Sequence, residues 1–184
     1  MELRKDPITR SWVVVGQGEE LPAPSEACPL CAAFSSAGPV LLQLPANGAP
    51  QIRVVPHFQP LYRIEGEASR TPEGIYDRMR AVGAHEIIIE SPDHNQWLGR
   101  LRDDEIERVL EAYASRILDL KRDSRFKYVT VFQNRGVLAG EEWTHPHSQV
   151  TASMFVPRRI LYELASAREW FGKKERCVFC DIVR

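Results

Sequence analysis

The chain has 184 residues and a mass of 21.0 kDa, with 43% hydrophobic and 27% charged side chains. These values fit one large globular domain or two small ones and exclude a disordered chain. Lys and Arg number 24 against 25 Asp and Glu, a net charge of -1, so there is no reason to expect a nucleic-acid partner and any nucleotide must be held by a local pocket.

No apolar run approaches the ~20 residues of a membrane helix, and Met1–Asp6 has no apolar signal core. A cytoplasmic location is expected. Trp12–Val15 is a short β-rich run after the turn-forming Asp6-Pro7. Gly16 to Ser25 reads as loop, and Ala32 to Pro50 as a Gly/Pro-punctuated excursion. Gln51–Val55 is a strand ended by Pro56. Glu65–Tyr76 is polar and turn-rich. His85–Glu90, around Ile87-Ile88-Ile89, is a buried strand stopped by Ser91-Pro92-Asp93. From Asp103 a helical stripe runs through Ile106, Val109, Leu110, Tyr113, Ile117 and Leu118, with acidic residues in the first turn. Tyr128–Phe132 and Gln149–Val156 are further strands, and Arg159–Phe171 a second helix. Without strict βαβ alternation, this order predicts an α+β fold with a largely antiparallel sheet and flanking helices.

Four cysteines fall into two Cys-x-x-Cys pairs, Cys28/Cys31 and Cys177/Cys180. In a reducing compartment that spacing points to metal or redox chemistry, against the alternative of four buried thiols. Zinc takes four ligands, commonly Cys and His. His94, in the turn past a buried strand, and His145 could complete a site begun by Cys28 and Cys31, although His94 could equally be a surface turn residue. A single four-cysteine site is disfavoured, because the 145 residues from 32 to 176 far exceed the usual ~15–20 of such a ribbon.

The densest chemistry lies in Glu142-Trp143-Thr144-His145-Pro146-His147-Ser148-Gln149-Val150. On an extended backbone His145, His147 and Gln149 share one face. Three polar groups facing a core would be costly without partners, so this face should line a site; the alternative is an edge strand with solvent-facing histidines. An imidazole can act as ligand, base or nucleophile. A glutamine amide can hydrogen-bond an anionic oxygen but cannot shuttle a proton. The set suits covalent phosphoryl transfer. Upstream, the glycines of Asn134–Gly140 let backbone N–H groups approach a phosphate or ribose.

Leu3-Arg4-Lys5-Asp6-Pro7-Ile8-Thr9, Cys28-Pro29-Leu30-Cys31, His85–His94, Asn134-Arg135-Gly136 and His145-Pro146-His147-Ser148-Gln149 occur in that order. Together they make the chain resemble the N-terminal half of the galactose-1-phosphate uridylyltransferase family, the transferase branch of the histidine-triad superfamily. The resemblance implies a zinc-stabilised, histidine-triad-like domain over residues 1–172, with 173–184 as the start of a truncated second repeat. Cys177-Val178-Phe179-Cys180 echoes Cys28-Pro29-Leu30-Cys31. It implies double displacement, in which His147 takes UMP from UDP-glucose and passes it to galactose 1-phosphate. Gln149 matches the glutamine that bonds the transferring phosphoryl group. Cys28, Cys31, His94 and His145 match structural zinc ligands, and Asn134 and Gly140 match residues beside the nucleotide. For a second metal the family offers two precedents, a glutamate matching Glu163 or a cysteine pair matching Cys177/Cys180; the cysteines are the more metal-specific. A homodimer, or association with a C-terminal half, is also implied.

The chain departs from that family at substrate contacts. Its usual Arg-Ala-Lys-Arg-Pro stretch is Gly16-Gln17-Gly18-Glu19-Glu20-Leu21-Pro22 here. Its nucleoside segment Pro-Asn-x-Phe/Tyr-Pro is Pro56-His57-Phe58-Gln59-Pro60, and a small hydroxyl residue near the phosphate is Glu142. Two alternatives therefore stand beside uridylyl transfer: an ADP-sugar or dinucleoside polyphosphate phosphorylase using the same histidine, and an inactive zinc-binding half-enzyme.

Overall fold

The computed structural model of the protein describes residues 1–16 and 28–184. Apart from Gly16, the expected acidic loop with Glu19 and Glu20 lies outside the described residues. The strands are β1 (Glu2–Lys5), β2 (Trp12–Val15), β3 (Leu42–Leu44), β4 (Ile52–Pro56), β5 (Thr71–Glu73), β6 (Tyr76–Arg80), β7 (Gly83–Ile89), β8 (Tyr128–Phe132) and β9 (His147–Ser153). The helices are α1 (Pro29–Ser35), α2 (Asp103–Leu120), α3 (Arg158–Lys174) and α4 (Val178–Val183). A four-stranded sheet has the order β2-β1-β6-β5, and a five-stranded sheet the order β3-β4-β7-β9-β8. Every ladder within them is antiparallel, in accord with the α+β expectation. No helix among the described residues is long and apolar enough to cross a membrane.

Turn chemistry sets the small sheet. The Asp6 carboxylate accepts the backbone N–H groups of Ile8 (2.7 Å) and Thr9 (2.9 Å), closing the β1–β2 turn. β5 and β6 turn at Gly74, whose φ of +60° suits glycine. The Glu65–Tyr76 stretch is thus not only turn but also the start of a hairpin. Likewise Ala32–Pro50 contains most of α1 and all of β3.

β7 is the spine of the larger sheet, with all seven residues buried. Its β-branched Ile87-Ile88-Ile89 run favours a pleated surface covered on both sides. On one side Ile88 packs with Val54, Val150 and Ala152 against Val109, Ala112 and Leu120 of α2. On the other, Ile87, Ile89 and Val55 pack beneath Leu30 and Phe34 of α1. Pairing with β9 in the register Ile89↔His147 and Ile87↔Gln149 puts those two polar side chains on the α1 side.

The α2 N-terminus is capped by Glu105, whose carboxylate accepts the Arg102 N–H at 2.9 Å. The buried line of this helix is Val109, Ala112, Arg116 and Leu120, whereas Leu110 and Leu118 of the expected stripe are exposed. The place is taken by Arg116, which makes a bidentate pair with Glu86 of β7 (2.7 and 2.8 Å). α3 carries no buried residue.

Candidate functional site

Four cysteine and histidine side chains converge at the end of the larger sheet. Cys28 leads into α1, Cys31 lies in its first turn, His94 follows β7, and His145 stands two residues before β9. One candidate ligand atom from each lies within 4.8 Å of all the others. Cys31 Sγ is 3.5 Å from His94 Nδ1 and 3.3 Å from His145 Nδ1. A tetrahedral ion with bonds of about 2.0–2.3 Å needs ligand atoms about 3.3–3.8 Å apart, so the spacing fits one. The remaining ring nitrogens are fixed from outside. His145 Nε2–H donates to the Ser91 carbonyl at 2.8 Å, and His94 Nε2 lies 3.2 Å from Thr144 Oγ1. Both Nδ1 atoms are thereby directed at the cluster, the usual support of a ligating imidazole. Burial pushes the Cys31 thiol up and the His145 imidazole down.

His145 also touches the neighbouring chemistry through its backbone. Its carbonyl accepts His147 Nδ1–H at 2.7 Å. A carbonyl can only accept, so Nδ1 carries the proton, and the lone pair of neutral His147 is on Nε2. His147 is buried, 4% exposed, and Trp143 packs edge-on against its ring with centroids 5.4 Å apart. The peptide is held on the other side as well: Gln133 Nε2 donates to the His147 carbonyl (3.2 Å) and to Glu90 (3.0 Å). Ser148 and Tyr113 hydroxyls also donate to Glu90, at 2.5 and 2.7 Å.

Gln149 is equally constrained. Its Oε1 lies 2.8 Å from His85 Nε2, while His85 Nδ1 accepts the Leu61 N–H at 3.1 Å. Burial, with His57 as a second cause, pushes the His85 imidazole down to about 4. The neutral ring thus carries its proton on Nε2 and donates it to Gln149 Oε1. The Gln149 NH₂ is left to donate elsewhere. His57 stacks on His85 with centroids 3.9 Å apart and planes 11° apart. Glu142 Oε2 lies 3.3 Å from His57 Nε2, an ion-pair distance off the hydrogen-bond axis. That ring holds the Glu142 carboxyl below the usual range.

Asn134 and Gly140 flank a 3-10 turn, Val137–Ala139, after β8. Gly136 and Gly140 have φ of +85° and +75°, conformations a side chain would strain. Asn134 Nδ2 lies close to Gly140, 3.9 Å from where a Cβ would stand. The loop leaves β8 next to the Phe132↔Gln149 pair. Cys177 and Cys180 lie apart from this convergence, both exposed at the start of α4. Among the described residues, the only group of three or more candidate ligands is Cys28, Cys31, His94 and His145. Glu163 pairs with Arg159 on the exposed α3 surface at 3.1 Å.

Sequence reasoning did not anticipate the His57–His85 stack, the contact of His85 with Gln149, or the Glu142–His57 pair. One signal was available: His85, Ile87 and Ile89 alternate along one strand, so His85 had to share the face of the isoleucines.

A family model described as galactose-1-phosphate uridyl transferase, N-terminal domain, matches residues 59–157, more than half of the chain. The chain belongs to this family. A galactose-1-phosphate uridylyltransferase of Thermotoga maritima is 28% identical over 187 residues, 100% of this chain and 56% of the relative. An ADP-glucose phosphorylase of Arabidopsis thaliana is 28% identical over 198 residues, 98% of this chain and 56% of the relative. A solved uridylyltransferase structure superposes with a TM-score of 0.80 at 29% identity, over 100% of this chain and 55% of that one. The Arabidopsis phosphorylase solved with bound ADP-glucose gives 0.74 at 27% identity, over 98% and 58%. The chain spans about half the length of these relatives.

Proposed function

We propose that the protein is a nucleotidylyltransferase that moves UMP between UDP-glucose and galactose 1-phosphate through a covalent uridylyl-histidine. The observation that carries this reading is the His147 ring, buried beside an aromatic wall, with its Nδ1–H donated to His145 and its Nε2 lone pair available. Nε2 attacks the α-phosphorus of UDP-glucose. The Nε2–P bond forms as the bond to the bridging oxygen breaks, and glucose 1-phosphate leaves with the electron pair. The ring's developing positive charge is met by the His145 carbonyl on Nδ1–H. A phosphate oxygen of galactose 1-phosphate then attacks the same phosphorus and frees His147. Two displacements replace one difficult exchange. The Gln149 NH₂ donates to a non-bridging oxygen as charge builds there, and Asn134 and Gly140 lie beside the nucleotide.

Cys28, Cys31, His94 and His145 are read as a structural zinc site, because a Cys₂His₂ set at tetrahedral spacing is a preferred zinc environment. When bound, zinc would tie α1 and the His94 loop to the start of β9. Residues 1–172 are read as the transferase domain and 173–184 as the beginning of a second repeat, with Cys177 and Cys180 available to a second metal whose other ligands lie elsewhere. A homodimer, or pairing with a C-terminal half, completes the proposal.

The test is labelling. The zinc-loaded protein, supplied with the C-terminal half of a related transferase, is incubated with α-labelled UDP-glucose. Acid-labile label on His147 is expected, and its absence overturns the reading. A second reading, an ADP-sugar or dinucleoside polyphosphate phosphorylase, is favoured by the equal 28% identity to the Arabidopsis phosphorylase. There an oxygen of inorganic phosphate attacks the nucleotidyl-histidine and releases a nucleoside diphosphate. Phosphate-dependent consumption of ADP-glucose, without exchange of UDP-glucose, selects it.

A further inference from the structure

Two buried imidazoles, His57 and His85, have no part in the reaction as written, yet each is only 6% exposed. Their Nδ1 atoms accept N–H groups from one loop, Gln59 to His57 and Leu61 to His85, both at 3.1 Å. The His57 N–H in turn donates to the His85 carbonyl at 3.0 Å. A nitrogen that accepts cannot hold the proton, so the neutral form of each ring carries it on Nε2. The His85 Nε2 faces Gln149 Oε1, whereas the His57 Nε2 lies 3.3 Å from Glu142, off the hydrogen-bond axis.

This matters because a primary amide has two ends of similar shape and opposite polarity. With its oxygen turned outward, Gln149 would repel a phosphoryl oxygen; with its NH₂ outward, it stabilises one. Packing alone does not choose between them, but a fixed N–H donor behind the oxygen does. We infer that His85 is a positioning residue: its Nε2–H holds the Gln149 carbonyl oxygen inward and presents the NH₂ to the transferring phosphoryl group. The 59–61 loop, with His57 stacked behind it, fixes the ring that does so. The inference rests on the reading of Gln149 as the phosphoryl donor. Because the donor is needed most where charge develops, misorientation lowers kcat more than it raises KM.

Two measurements test it. The first needs no activity: ¹⁵N imidazole spectra of the wild-type protein should give His85 as the Nε2–H tautomer at pH 7. An Nδ1–H tautomer overturns the inference whatever the protein's reaction. The second is kinetic. His85→Phe should lower kcat of nucleotidyl transfer by about 10- to 100-fold, short of the loss of a whole oxyanion donor, with KM changed less than about threefold. The same change in a Gln149→Leu background should add less than about twofold. His85→Gln, which can place an amide N–H where Nε2–H was, should recover most of the rate. Independent losses in the double variant, or a His85→Gln variant as poor as His85→Phe, overturn it. If His85→Phe does not fold, the wild-type spectra and the His85→Gln rate decide. Failure to label His147 in the wild type would instead strike the proposed reaction and leave the tautomer result standing.

Discussion

His57 Nε2 and the Glu142 carboxylate meet at 3.3 Å, although they come from segments 85 residues apart. These are two of the positions at which the sequence departs from its family's usual pattern. In the folded chain the two meet: an imidazole and a carboxylate at ion-pair distance, off the hydrogen-bond axis. Glu142 is 31% exposed and His57 only 3% by side chain, so the pair runs from the rim of the site into its wall. His57→Asn should therefore be tolerated better beside Glu142→Ser than alone. Thermal unfolding of the two single variants and the double variant checks this, and strict additivity contradicts it.

His145→Ala and His94→Ala should each abolish tight binding of about one zinc per chain, measured by elemental analysis after dialysis. Structural zinc is closed and tetrahedral, so losing one of four ligands opens it. Chelator should lower the unfolding temperature of the wild type and leave the His145→Ala variant unmoved. Retention of zinc by both variants would refute the ligand assignment.

Arg116→Met should be among the most destabilising single changes. Its guanidinium and the Glu86 carboxylate are 9% and 6% exposed by side chain, and removing one partner strands a buried charge at a cost of about 3–5 kcal/mol. Pairing it with Glu86→Gln should recover much of the loss. Urea unfolding of the single and double variants measures both.

Acid should weaken the fold through His85. Its imidazole is pushed from 6.5 down to about 4 by burial and His57. Above about pH 6.5 folded and unfolded chains both hold it neutral, and nothing is lost. Between about pH 6.5 and 4 the unfolded chain takes up the proton and the folded chain does not, so stability falls as pH falls, by on the order of 3 kcal/mol. Glu142 adds to the loss only at lower pH, because its carboxyl is itself lowered in the fold. A His85→Gln variant should show a shallower decline over that window in denaturant titrations at fixed pH.

His147→Asn should reduce nucleotidyl transfer by at least about a thousandfold, since the proposed covalent step uses the His147 Nε2 lone pair. The circular-dichroism spectrum should stay that of the wild type. Residual labelling of the variant would point to another residue.

Much of the site was legible because it is local. The alternation of His147 and Gln149 is a property of any extended backbone, and the Ile87–Ile89 run announces a covered strand by composition alone. The acidic first turn of α2 marks a helix start in the same way. What escaped notice depends on partners distant in sequence. Nothing near Arg116 says that a glutamate 30 residues earlier will receive it, so the apolar stripe assigns Leu110 and Leu118 to the core, whereas both are exposed. β1 joins the rest of its sheet by pairing with β6, more than 70 residues on, through Leu3↔Met79. The His57–His85 stack exists only once β4 and β7 lie side by side, Pro56 opposite Glu86.

One residue, His145, supplies a ring to the cysteine–histidine cluster and a carbonyl to the imidazole two positions on. If the cluster holds the proposed ion, stripping it would therefore do more than loosen a scaffold. On the proposed assignment it would slacken the peptide whose carbonyl holds the His147 Nδ1–H, and so couple metal occupancy to a ring that never touches the metal.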